Sequence, residues 1–326
     1  MTRRWIARFA ERKWTVVLIG FGLLVLLEVT LRLVWGFGNP LLVEKDPDVG
    51  YFFRGRQAIR RFGNYVKVNQ YHQRNDEIRV LPPPGTKRIL IVGDSVTFGG
   101  TLADQQETIT SLLQARLNAT HRGPYEVLNA SAASWGIGNH LAYVKKFGAF
   151  NSAWVIYQIG SSDLCQPKSD SSGVGIDPNA PDHRPVLAIT EVITRYLVPK
   201  LMSGLRRPMP PPASVLSDAE NFETNIVWFS EAVEIARSSS ARVMVLHTPD
   251  RDEVVPGPAG FAAFDDPYRE RFFQVCSNLS VPVVDLHQQW RGSPHAGLWF
   301  RDGIHPNPAG NAEIATSLYK ALAGFP

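Results

Sequence analysis

The chain is poor in sulfur: its 326 residues include two cysteines, Cys165 and Cys276, and four methionines. It contains no Cys-x-x-Cys pair and no His-Glu-x-x-His run, so no metal or dithiol signature is present and no cofactor is called for. Nothing in the spacing brings the two cysteines together, and both thiols are expected to be free. Cys276 follows Phe272 and Phe273 in an amphipathic stretch and reads as a small core residue, while Cys165 stands at the mouth of an irregular segment. No internal repeat occurs. Most of the chain also lacks a charge of one sign. The formal net charge is +4, but Arg3, Arg4, Arg8, Arg12 and Lys13 against Glu11 account for all of it, leaving 29 residues of each sign after the tail. The basic balance therefore belongs to the N-terminus and gives no argument for a nucleic-acid partner.

One long apolar run follows that tail. Val16 to Leu27 is uninterrupted, and Glu28 and Arg32 then intrude before Trp35. Twelve residues are too few to cross a bilayer, which needs about 20, but the whole Trp14–Trp35 stretch is long enough. The two charges stand four apart with the glutamate first, the order that suits an ion pair along a helix, and both can snorkel beside Trp35. The reading is a single-pass anchor over 14–36. Residues 1–13 would stay cytoplasmic by the positive-inside rule, and residues 37–326 would be exported from the inner (cytoplasmic) membrane to its periplasmic or extracytoplasmic side. A cleaved signal peptide is the rival. No small-x-small site of the Ala-x-Ala type follows, which favours an uncleaved helix.

Residues 37–86 read as a juxtamembrane segment. Arg54, Arg56, Arg60 and Arg61 give it a basic face for lipid headgroups, an anionic polymer or plain solvent, and alternation over Tyr65–Asn69 suggests a strand. Leu81-Pro-Pro-Pro-Gly85 then marks a domain boundary. Beyond it, strands are expected at 88–93, 125–129, 153–159, 242–247 and 282–285. Helices are expected at 104–118, 138–148, 218–238, 267–278 and 308–322. Alternation of this kind predicts an α/β fold with a parallel sheet covered on both faces, whose ligands bind outside the carboxyl ends of the strands. Residues 164–216 break the rhythm; they are rich in Pro, Ser and Asp, with a helical patch near Leu187–Leu201. This insertion is expected to overhang the active edge as a lid or substrate loop.

Two stretches carry chemistry. Gly93-Asp94-Ser95-Val-Thr-Phe-Gly99 follows a buried strand, and Asp302-Gly-Ile-His305 lies near the end of the chain. A serine at a strand tip ahead of a helix is either a helix cap or a nucleophile. Asp302 and His305 are three residues apart, so one tight turn can bring carboxylate to imidazole and supply a base with its orienter. The chain here resembles the SGNH (GDSL-like) hydrolases, over roughly residues 87–326. The first block carries that family's nucleophile, matched by Ser95, and the last its Asp-x-x-His pair. Asn129-Ala-Ser-Ala-Ala-Ser-Trp-Gly136 is similar to the second block, whose glycine gives a backbone N–H to the oxyanion hole. Gly160-Ser-Ser-Asp163 stands at the third, normally Gly-x-Asn-Asp, with Ser162 in place of the asparagine.

The resemblance implies a three-layer α/β/α sandwich of flavodoxin-like type with a central, mostly parallel five-stranded sheet. It implies a triad of Ser95, Asp302 and His305 and an oxyanion hole of Ser95, Gly136 and Ser162. A serine esterase on small O-acyl esters is then expected, with O-acetyl groups of an envelope or exported glycan as a substrate class. Two alternatives stand beside it: a glycan O-acetyltransferase of the same fold, and a catalytically silent glycan-binding component, which the serine at 162 motivates. Trp135 and Trp299 are candidate sugar platforms, although a core position is the commoner fate of tryptophan. His247 and Asp250, at a strand end, are candidate substrate contacts, although such residues more often satisfy loop backbone.

Overall fold

The computed structural model describes residues 2–120, 123–202, 216–257, 260–261 and 267–324, with backbone alone for 2–12. Residues 203–215 of the expected insertion lie outside the described residues. Helix α1 (Thr2–Trp35) contains the apolar run. Its Lys13–Trp35 portion is long and apolar enough to cross a membrane, and only 6 % of its most apolar window is buried, unlike a core helix. Two antiparallel hairpins follow: β1 (Val43–Asp46) with β2 (Gly50–Phe53), and β3 (Gln57–Arg61) with β4 (Asn64–Val68).

The remainder is a doubly wound α/β sandwich. Strands β5 (Lys87–Gly93), β6 (Tyr125–Ser131), β7 (Trp154–Gly160), β8 (Arg242–Thr248) and β9 (Val283–Asp285) form one parallel sheet in the order β6-β5-β7-β8-β9. The strands read as largely apolar runs because both faces are covered, with Asn129, Gln158 and His247 as buried polar exceptions towards their carboxyl ends. Alternate residues of β5 serve different layers. Leu90 and Val92 point to one core with Leu128, Val155, Val245, Phe229 and Phe272, and Ile89 and Ile91 to another with Val127, Ile156, Leu113 and Leu318. Helices α4 (Ile137–Phe147), α7 (Asp218–Ser238) and α9 (Pro267–Asn278) cover the first face, and α3 (Ile109–Ala119) and α11 (Pro308–Ala323) the second. Local chemistry starts these helices. Ser217 accepts from the N–H of Glu220 and Glu220 answers to Ser217, while Asn307 caps α11 ahead of Pro308. Short helices α2 (Ser95–Phe98), α8 (Arg251–Val254) and α10 (Leu286–Trp290) sit at the strand ends, and α5 (Ala188–Val192) and α6 (Val198–Met202) belong to the insertion.

Two expectations about organisation change. Residues 37–86 are not a separate juxtamembrane element: Val43, Phe52, Ile59, Val66 and Val68 share one hydrophobic core with the sheet. Their arginines are partly structural, since Arg61 is buried on Glu191 and Arg54 donates to the Asp182 carbonyl. The described part of the insertion divides: its first residues meet the active-edge loop, where Gln166 and Ser169 donate to the Ser134 carbonyl, and the stretch that follows lies elsewhere. It packs on the hairpins and on the end of α1: Val43 N–H donates to the Pro181 carbonyl, Gly38 N–H to Glu191, and Arg32 to the Val186 carbonyl. Cys165 and Cys276 form no disulfide with each other.

Candidate active site

The carboxyl ends of β5, β6, β7 and β8 lie side by side at Gly93, Ser131, Gly160 and Thr248, the edge where such sheets bind ligands. At the first of them the chain turns from β5 into α2. Asp94 caps that helix, accepting from Val96 N–H at 2.7 Å, and Ser95 is its first residue. The turn needs glycine at 93: a Cβ there would stand 2.3 Å from Thr97 Oγ1 and 2.6 Å from Gln158 Oε1. Gln158 is the polar hub beneath it. Its Oε1 accepts from Asp94 N–H at 3.1 Å and from the Thr97 hydroxyl at 3.0 Å, and its Nε2 donates to Thr248 Oγ1 at 3.0 Å. A lone Gln inside the apolar strand Trp154–Gly160 was the signal for this role.

The last block arrives from the far end of the chain. Asp302 Oδ1 accepts from the N–H groups of Ile304 and His305, at 2.9 and 2.8 Å, which closes the turn. The His305 ring then faces Asp302, with Nδ1 2.9 and 3.0 Å from the two carboxylate oxygens. Its Nε2 is 2.9 Å from Ser95 Oγ. Partial burial pushes the Asp302 carboxyl up, but the two N–H groups and the imidazole more than offset this and leave it at about 2. Arg301 braces both blocks, donating to the Gly99 carbonyl at 3.1 Å with its Nε 3.6 Å from Asp302. Arg251 N–H holds the Gly303 carbonyl at 2.8 Å.

The other expected site residues are placed as follows. Ser162 is exposed and opens a short turn after Gly160. Gly136 is a correction: it caps α4, and its N–H already donates to Asn139 Oδ1 at 3.0 Å. In the same loop, Ser134 holds φ at +57°, and among the described residues its N–H meets no protein acceptor. Trp135 is also corrected. It is 1 % exposed, its indole N–H donates to the Tyr51 carbonyl at 3.0 Å, and it packs with Phe52 and Tyr143, so it offers no sugar platform. His247 is 0 % exposed, with Nδ1 on the Ile159 carbonyl and the ring against Phe273, so it cannot reach substrate. Burial, with Arg269 nearby, pushes its pKa down to about 3. Trp299 is half-buried against Trp290. Asp250 leads into α8, and burial, with Glu253 and Asp252, raises it to about 6. A cavity of about 340 Å³ lined by Lys87, Tyr125, Trp154 and Arg242 opens at the opposite edge of the sheet and contains none of the triad residues.

Two buried carboxyls underlie the site. Asp163 receives Gly160 N–H at 2.7 Å. Burial, and then the Asp94 charge, raise its pKa well above the usual range, and burial raises Asp94 to about 6. Groups raised in the fold stabilise it below their unfolded value, near 4, and that contribution is lost as pH rises through the folded value. This pair's contribution should therefore fall as pH rises from about 4 through the folded values, about 6 for Asp94, against the opposite slope that depressed histidines such as His247 add over the same range. Asp163→Asn keeps an acceptor for Gly160 and should flatten that fall. It should also raise the melting temperature at neutral pH by about 2–4 °C, the worth of roughly 1 kcal/mol in a domain of this size. Thermal melts across pH measure this, and a variant with the wild-type profile would remove the pair from the account.

Fold and site together define a serine hydrolase of the doubly wound α/β class. Residues 91–313 match the model of the GDSL-like lipase/acylhydrolase family, well over half of the chain, and the protein belongs to that family. It is a serine ester hydrolase. No curated protein sequence matches it. Solved structures similar to it include TesA, at 19% identity and TM-score 0.45, covering 73% of this chain and 99% of that one. The acetyl xylan esterase AlAXEase is 15% identical with TM-score 0.47, covering 72% of this chain and 99% of that one. A variant of Axe2, an acetyl-xylooligosaccharide esterase from Geobacillus Stearmophilus, is 14% identical with TM-score 0.45, covering 74% of this chain and 95% of that one.

Proposed function

We propose that the protein is a membrane-anchored, exported esterase that removes small O-acyl groups, with O-acetyl groups of an envelope or exported glycan as its substrate class, through an acyl-enzyme on Ser95. The observation that carries the reading is the line from Ser95 Oγ through the two His305 nitrogens to Asp302, each step 2.9–3.0 Å. Ser95 Oγ attacks the ester carbonyl while His305 Nε2 takes its proton, and Asp302 stabilises the imidazolium. The carbonyl oxygen becomes an oxyanion. The Ser95 N–H and the Ser162 hydroxyl receive it, and the Ser134 N–H replaces that of Gly136 as the donor from the second block. Collapse breaks the C–O bond and His305 returns the proton to the leaving alkoxide. Water repeats the sequence on the acyl-enzyme. A sugar hydroxyl in place of water makes the same site a transferase. The basic residues at the start of α1, ahead of its apolar run, support export by the positive-inside rule.

The test is turnover of an activated acetyl ester by the full-length protein in detergent micelles, with and without an acetylated or free glycan acceptor. Hydrolysis unaffected by acceptor supports the esterase, and acyl transfer at the expense of hydrolysis supports the transferase. Ser162 gives a finer test. A hydroxyl reaches less far than an amide and is not fixed in orientation, whereas an oxyanion donor must be held at about 3 Å. Ser162→Asn should preserve or raise kcat, and Ser162→Ala should lower it by less than about tenfold. The reverse order would take Ser162 out of the oxyanion hole, and a silent wild type awakened by Ser162→Asn would favour the glycan-binding alternative.

A further inference from the structure

The two charges inside the apolar helix bond to the insertion. Glu28 accepts the N–H groups of Ala188 and Ile189 at 2.7 and 3.1 Å. Arg32 pairs with Glu28 at 2.7 Å and donates to the Val186 carbonyl at 2.7 Å. Val186–Ile189 is thereby pinned beside the last two turns of α1. At 1.5 Å per residue, Lys13–Trp35 is about 34 Å long, little more than the roughly 30 Å hydrocarbon core, and Glu28 lies about 10 Å short of Trp35. A helix of that length has almost nothing to spare outside the bilayer, so a segment bonded at the level of Glu28 enters the bilayer with it.

That segment is built for such a place. Its backbone groups nearest α1 are satisfied by Glu28 and Arg32, as hydrocarbon requires and water does not. Its tip is apolar and bare, with Val186 90% and Leu187 48% exposed. The helix that follows buries Ala188 and Glu191 against the protein, Glu191 on Arg61. The helical run continues through a π-turn at Ile193–Leu197 into α6, and leaves Ile193, Leu197 and Leu201, spaced by four, exposed. The start of this run, α5, packs against α1, whose own apolar side chains are exposed, and the exposed Arg56 and Arg60 lie at the neighbouring hairpin, Arg60 beside Gly36. We propose that Val186–Met202 is a second membrane contact. Its tip enters the leaflet beside α1 and its helix lies in the interface with Ile193, Leu197 and Leu201 among the acyl chains. The occupant of this face is lipid. The assignment rests on α1 crossing the membrane and not on the esterase chemistry. It also seats the catalytic edge near the headgroups. Phe62 N–H meets the Trp35 carbonyl and Asn64 the Thr101 carbonyl, so one hairpin separates the end of α1 from the loop after Ser95.

The test uses the full-length protein in vesicles of phosphatidylethanolamine and phosphatidylglycerol. Cys165→Ser removes the accessible thiol; Cys276 is buried. An environment-sensitive fluorophore is placed singly by Leu24→Cys, Leu197→Cys, Leu201→Cys and Glu234→Cys, each variant keeping the wild-type circular dichroism and melting temperature. The labels at 24, 197 and 201 should be quenched several-fold more by nitroxide-bearing lipids than the label at 234, and several-fold less by aqueous iodide. If 24 is quenched by lipid but 197 and 201 behave like 234, the second contact is overturned and the span survives. If 24 itself is open to iodide, the span fails and the proposal with it. Shielding of 197 and 201 from both quenchers means that a protein partner or second copy covers the stripe, which also overturns it.

Discussion

Ser95→Ala should lower ester turnover by about 10³-fold or more, with the fold intact, and His305→Ala should do the same. The serine hydroxyl bonds to His305 at 2.9 Å, so removing it leaves no core void. The two residues act on one proton, and the double variant should be no slower than either single one. Asp302→Asn should cost less, because Ile304 and His305 N–H groups still have an oxygen to hold. Asp302 stays ionised down to about pH 2, so any loss of activity between pH 4 and 7 has another cause than its protonation. Steady-state rates with the activated acetyl ester, checked by circular dichroism, decide the matter. Near-normal turnover by Ser95→Ala would end the assignment of the nucleophile, and with it the acyl-enzyme route.

The sheet was legible in the sequence because parallel strands buried on both faces leave little freedom: Ile89–Val92, Val155–Tyr157 and Val243–Leu246 are apolar on both sides. The helices α7 and α9 could be bounded from pattern to the residue. Ser95 and His305, 210 residues apart, could be paired because each lies in a short block whose local geometry is set by neighbours. Most of what failed has one physical origin: partners distant in sequence. Trp135 looked available because the hairpin carrying Tyr51, which satisfies its N–H, has strands of four residues with little alternation. The docking of Val186–Glu191 on α1 and the hairpins was not legible because it is set by Glu28 and Arg61, 160 and 130 positions from their partners. Gly136 was read as a donor because pattern cannot tell a free N–H from one that Asn139 has taken.

Arg74 is the residue that sequence reasoning passed over and whose removal should cost the fold most. In a polar stretch it reads as solvated, yet it is fully buried. Its guanidinium donates to the carbonyls of Phe98 and Gly100 at 2.6 Å and of Ala103 at 2.7 Å, and it lies over the Phe98 ring. These are the carbonyls that end α2 and lead away from Ser95. Burial pushes the guanidinium down to about 9, with Asp104 opposing and Arg301 adding to the shift. Arg74→Met keeps the bulk but takes the donor from two buried carbonyls, Phe98 and Ala103, and from the half-buried Gly100 carbonyl, each worth about 1–3 kcal/mol. It should lose at least about 3 kcal/mol, or roughly 6–12 °C of melting temperature. If Arg74 also positions the nucleophile, kcat should fall about tenfold or more at temperatures where the variant is folded, with KM little changed. Arg74→Lys, which can hold part of the set, should fall between. An unchanged melting temperature would mean that the carbonyls find water, and a lower melting temperature with unchanged kcat would leave Arg74 a brace for the fold alone.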